Sequence, residues 1–166
     1  YIKYTDHYKS RAIINFESGL IQVETVIAKG SKAVLKKAIV QTLLTPEDPS
    51  SIDLYSAESP KIGQTPFLID LVRDQDKKPI RSAWRAERFA DYLLRHHYRQ
   101  YELKGKTRYA VEFRMVPDFK KKQGQHYRYF VHQQAKRFQI ETALIYGIIE
   151  TESSFNPYAV SSAPAY

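Results

Sequence analysis

No cysteine occurs among the 166 residues, which removes disulfides, thiolate nucleophiles and cysteine-ligated zinc and leaves the redox compartment undefined. No apolar run approaches the ~20 residues of a membrane-spanning helix; the longest are "AIV" and "ALIYGII". No signal-like apolar core follows the first residues. The chain opens on Tyr1 rather than methionine, the expected mark of a processed or trimmed product whose targeting segment, if it has one, lies upstream. Acidic residues are in deficit, 18 against 26 Lys and Arg, for a net charge of +8. A surface this basic suits nucleic acid, an anionic membrane or an acidic polymer, and charge does not choose among them.

What is present is the composition of a folded chain. A hydrophobic fraction of 43% suffices for a core, and 166 residues allow one ordinary domain, or one compact domain and part of another. "RAIINFESGLIQVETVIA" predicts a β-hairpin, with Gly19 supplying the positive φ of its tight turn. "SKAVLKKAIVQTLLT" predicts an amphipathic helix with Ser31 as N-cap and an apolar stripe of Val34, Leu35, Ala38, Ile39, Thr42 and Leu43, ended by Pro46 and Pro49. The turn-formers of "EDPSSIDLYSAESPKIGQTP" predict an irregular loop, followed by a short apolar run, "FLIDLV", and a turn, "RDQDKKP".

A second helix is expected across "SAWRAERFADYLLRHHYRQYELKG", stopped by Gly105, with Trp84, Phe89, Tyr92, Leu93 and Tyr98 on one side. In "TRYAVEFRMVP", Tyr109, Val111, Phe113 and Met115 alternate with charged residues, the pattern of a half-buried strand. "DFKKKQGQ" is expected to be charged and flexible, and two helical runs follow, "YRYFVHQQAKRF" and "ETALIYGIIETESS". The change of character sets an expected boundary near Asp118, giving domains 1–118 and 119–166. Together these elements predict an α+β domain, a small antiparallel sheet packed by helices, followed by the first helices of an all-α unit.

The last helix carries two acids, Glu150 and Glu152. Ile145, Ile148, Ile149 and Glu152 recur at three- and four-residue spacing, so the apolar face runs into Glu152, while Glu150 points about 160° away at about 100° per residue. A carboxyl on the apolar side loses hydration, which favours its protonated form and suits a general acid. Glu150 reads as a solvated surface residue.

The string "TESSFNPYAVS" resembles the glutamate-serine motif of the goose-lysozyme-like lytic transglycosylases. "YIKYTDHYKSRAIINFESGLIQVETV", "DPSSIDLYS", "FADYLL" and "MVP" are similar to the N-terminal region of a membrane-bound lipoprotein branch of that family, so the resemblance covers essentially the whole chain. It implies that the all-α unit is lysozyme-like, that Glu152 is the catalytic acid/base, and that Ser153 helps hold the carboxyl and the substrate. It further implies cleavage of the β-1,4 bond between N-acetylmuramic acid and N-acetylglucosamine, leaving 1,6-anhydromuramoyl ends without net addition of water. The implied partners are peptidoglycan strands and the periplasmic face of the outer membrane, reached through an upstream lipid anchor; no cofactor and no metal are implied. Members of the family continue past "SSAPAY" into a "GLMQ"-type segment and an "AYN"-type motif, so the resemblance implies an incomplete catalytic domain, expected to be inactive alone. The alternative is a non-catalytic wall-binding or scaffold module.

Other residues carry weaker signals. The adjacent pair His96 and His97 would diverge by about 100° on a helix and makes a poor chelate. Trp84 could offer a stacking platform to a sugar, but a packing role is the expectation. Lys120 to Lys122 and the "RHHYR" run at 95 to 99 come without any base-reading motif, so no nucleic-acid partner is expected.

Overall fold

The computed structural model describes residues 2–48 and 65–159. Five strands form one antiparallel sheet in the order β1-β2-β3-β5-β4: β1 (Ile2–Thr5), β2 (Ser10–Asn15), β3 (Leu20–Thr25), β4 (Tyr98–Leu103) and β5 (Lys106–Arg114). Helices α1 (Ser31–Leu43) and α2 (Ala83–His96) cover one face, and α3 (Phe119–His126), α4 (Arg128–Phe138) and α5 (Thr142–Ser153) complete the chain. This is the expected α+β architecture.

Alternation along the strands sends Ala12, Ile14, Ile21, Val23, Val111 and Phe113 to the covered face. They meet Leu35, Ala38, Ile39 and Leu43 of α1 and Ala86, Phe89, Ala90 and Leu93 of α2 in a single core. The β2–β3 hairpin forms where expected. Asn15 accepts hydrogen bonds from the main-chain N–H groups of Glu17 and Ser18 at 2.9 Å each, and Gly19 takes φ +69°.

Several expectations are corrected. Ser31 is the first residue of α1 rather than its cap; left-handed Gly30 occupies that place, and the Ser31 hydroxyl lies 3.1 Å from that of Tyr98. The second helix stops at His96, and "YRQYEL" becomes edge strand β4. Gly105 therefore ends no helix: with Lys104 it makes a two-residue hairpin turn, both residues at positive φ. The helix-facing stripe expected to hold Trp84 does not include it, since Trp84 is 63% exposed. "DFKKKQGQ" is helical rather than flexible, tied by Lys122 to Asp118 at 3.1 Å and by burial of Gln123. The expected irregular loop falls mostly on residues 49–64, Pro49 included, outside the described residues; its ends meet through Glu47 N–H to Thr65 O and Phe67 N–H to Thr45 O.

On the open face of the sheet, Glu24 is 1% exposed, enclosed by polar neighbours instead of helices. Its carboxylate accepts from Arg11 Nε at 2.6 Å, from Gln22 Nε2 at 2.8 Å, and from Tyr101 and Arg108. Burial works to raise its pKa, but the hydrogen bonds from Tyr101 and Arg11 and the charges of Arg11 and Arg108 prevail and hold it below the usual carboxylate range.

Candidate active site

Helix α5 carries both acids to its last turn. Glu150 is exposed as expected, its Oε1 3.9 Å from Lys120 Nζ. Glu152 is exposed as well, which departs from the desolvation expected of it. Leu144 and Ile148 are also exposed, and none of the helix's residues is fully buried. Spacing fixes which way a side chain points; burial requires a neighbour. Among the described residues Glu152 has no ion-pair partner.

The neighbouring hydroxyls are engaged with the helix itself. Ser153 Oγ donates to Ile149 O at 2.9 Å, and Thr151 Oγ1 to Gly147 O at 2.8 Å. A hydroxyl whose hydrogen is so committed keeps a lone pair with which to accept a further hydrogen bond. Ser153 and Ser154 line a groove of about 320 Å³ whose other wall is Ile2, Ile13, Asn15 and Glu17, from β1, β2 and the turn that follows. The sheet domain thus stands beside the residues that follow the acid.

Immediately after the acid the chain reverses. Ser154 and Phe155 both adopt left-handed φ, +49° and +58°, uncommon for non-glycine residues and a mark of a turn held by its surroundings. The reversal drives Phe155 into the interior against the rings of Tyr127 and Tyr146, with centroids 6.2 and 6.3 Å away. Asn156 then accepts from the Tyr158 N–H at 3.0 Å, and buried Tyr158 sets its ring edge-on to Phe67 at 5.1 Å. A cavity of about 410 Å³ lies on the Phe155 side, bounded by Glu47, Phe67, Asp70, His126 and Tyr127. Tyr127 is pushed above its ordinary pKa by burial and by the charge of Glu47, so it stays a neutral donor.

The aromatic anchors Phe155 and Tyr158 are absent from the sequence reading as functional residues, although both lie inside the "TESSFNPYAVS" string. The Asn156-Pro157 turn signal between them marks the place where the chain doubles back. His96 and His97 do not converge on a common point; both flank Tyr92, at ring distances of 4.6 and 6.0 Å. Among the described residues no three His, Asp or Glu side chains gather as metal ligands.

With this geometry in view, residues 1–126 match the family model for the N-terminal domain of membrane-bound lytic murein transglycosylase C. Residues 130–166 match the transglycosylase SLT domain. The chain is similar over 166 residues to proteins named membrane-bound lytic murein transglycosylase C, at 44% identity in Yersinia enterocolitica and 43% in both Klebsiella pneumoniae and Cronobacter sakazakii. Each alignment covers 99% of this chain and 46% of the relative, so the chain spans about half the length of the curated relatives it matches.

Proposed function

The chain belongs to the membrane-bound lytic murein transglycosylase C family, and from that premise we propose that it supplies the acid/base of a peptidoglycan lytic transglycosylase. Glu152 protonates the leaving oxygen as the bond from muramoyl C1 to the next sugar's O4 breaks. It then takes the proton of the muramoyl 6-hydroxyl as O6 bonds to C1 and closes the 1,6-anhydro ring. The proton balance is zero and no water is consumed. One carboxyl acts twice, where most glycoside hydrolases place two carboxyls about the bond, because the internal hydroxyl is already positioned as nucleophile.

The observation that supports this reading is the position of Glu152 within the SLT-matched segment, unpaired at the end of α5, with Ser153 turned to a groove shared with the sheet domain. In this reading Ser153 accepts a hydrogen bond from substrate while its own hydrogen remains on Ile149 O. The chain divides near Asp118 into an accessory domain and the start of a lysozyme-like domain. Within the relatives' membrane-bound setting, the site faces the periplasm from the outer membrane, held there by a lipid anchor upstream of this chain.

The test compares two variants of the full-length protein on purified sacculi. Glu152→Gln lowers the release of 1,6-anhydromuropeptides by about 10²–10⁴-fold, the usual contribution of general acid–base catalysis; Glu150→Gln changes it by a few-fold at most. Equal losses in both, or full activity in Glu152→Gln, overturn the assignment.

A further inference from the structure

The only tryptophan in the sequence stands in solvent at the start of α2, and the loop before it is built to display positive charge. Asp74, buried, accepts from the main-chain N–H groups of Asp76 and Lys78 at 3.0 and 2.8 Å and from the Arg85 guanidinium, which fixes the loop against the helix. Asp76 pairs with Arg88 at 2.6 Å. Both guanidiniums lie over the Trp84 indole, each 5.6 Å from the ring centroid. These two arginines are neutralised by the loop's own aspartates, whereas Lys77, Lys78 and Arg81 are exposed and have no carboxylate partner among the described residues. Glu87 is the one further carboxylate in the stretch, leaving an excess of positive charge around an exposed indole.

We propose that Trp84, with Lys77, Lys78 and Arg81, forms a contact site for an anionic lipid bilayer, seating the sheet domain on the membrane surface. An indole has an apolar body and a polar N–H, and it partitions to the boundary between headgroups and acyl chains. The unpaired cations meet lipid phosphates at the same depth, each contributing about 1 kcal/mol, close to fivefold in affinity. A stacked sugar would compete for the indole with the guanidinium groups of Arg85 and Arg88, each already 5.6 Å from its ring centroid. No helix among the described residues is long and apolar enough to cross a membrane; the contact proposed is an interfacial one. The inference rests on the membrane-bound reading above, but its test omits any lipid anchor, so the two can fail separately.

Because Trp84 is the only tryptophan in the sequence, its fluorescence reports the site directly. The purified 166-residue chain is titrated with vesicles of phosphatidylcholine alone, with vesicles also containing phosphatidylglycerol, and with soluble N-acetylglucosamine oligosaccharides. Emission shifts to the blue and becomes shielded from iodide on the anionic vesicles only. Vesicle co-sedimentation weakens about 25-fold in the Lys77→Ala/Lys78→Ala variant, at about fivefold per cation, and weakens also in Trp84→Ala; circular dichroism confirms that both variants fold. Absence of a shift on anionic vesicles at low salt overturns the proposal. So does co-sedimentation that neither variant alters, which would place contact on another basic face, or a shift produced by the oligosaccharides and not by the vesicles.

Discussion

Tyr158 donates its hydroxyl hydrogen to the main-chain oxygen of Pro46, a residue 112 positions earlier in the chain. The bond joins the segment just past the acid to the end of the first helix's connection, and the Tyr158 ring packs on Phe67 beside it. Tyr158→Phe keeps the ring and strands a buried carbonyl, at a cost of about 1–3 kcal/mol. Tyr158→Ala also opens a cavity and costs about 3–5 kcal/mol. Urea denaturation gives the totals. Hydrogen exchange gives their location: amides of α4 and α5 lose protection in Tyr158→Ala while β2, β3 and β5 keep theirs, and uniform loss would mean that the anchor is not local.

Glu24 sets an acid limit on the sheet domain. Its carboxyl loses a proton more readily in the folded state than in the unfolded chain, where its pKa is about 4.3. The stabilisation is therefore complete above that value and is lost as pH falls through the lower folded value. Glu24→Gln leaves Arg11 and Arg108 without their counter-charge and costs about 3–5 kcal/mol at pH 7. The gap between the wild-type and variant denaturation midpoints closes as pH is lowered toward 3; a gap independent of pH would contradict the linkage.

Gly19 is constrained twice over. It holds φ +69°, and a Cβ built there stands 2.8 Å from Cε1 of Phe119, the first residue of α3. Gly19→Ala costs about 1–2 kcal/mol for the left-handed backbone, with the displacement of the Phe119 ring in addition. In a double-mutant cycle with Phe119→Ala the backbone part persists and the steric part disappears, giving a coupling of about 0.5–3 kcal/mol. Strict additivity would show that the ring moves aside without cost.

The 166-residue chain, incubated alone with sacculi, releases no 1,6-anhydromuropeptides, because its Glu152 is exposed and none of the residues of its helix is fully buried, whereas a general acid of this kind works best where burial holds its proton. Mass spectrometry of the soluble products is the measurement, with the full-length protein as the positive control.

Much of the fold is legible in the residues because local chemistry and tertiary packing agree. Gly19 marks the hairpin, most of the stripe of α1 goes into the core, and Val111 and Phe113 of β5 face it as alternation requires, with Met115 following just past the strand. The missed elements are those where tertiary contacts override a weak local signal. Strand β1 enters its hairpin through Asp6, His7 and Tyr8, all at positive φ without a glycine to announce the turn. Strand β4 is a rim strand with little apolar content, so its residues read as more of the preceding helix. The site is legible in the same uneven way. Spacing puts Glu152 in line with the apolar residues of α5, but its exposure depends on what packs beside the helix, and the anchors Phe155 and Tyr158 gain their meaning from Tyr127 and Phe67, distant in sequence.

The sheet order leaves β1 and β4 at its two rims, each with a row of main-chain groups that another chain could continue. Neither rim makes a good template. One is four residues long, and the other carries Arg99 and Glu102, runs into Lys104 and Lys106 at its turn, and buries none of its residues. Molecules gathered on a shared surface collide far more often than molecules dispersed in a volume, and a flat apolar rim would then zip them into ribbons. With a short edge on one side and a charged one on the other, neighbours can crowd side by side and each keep its own sheet.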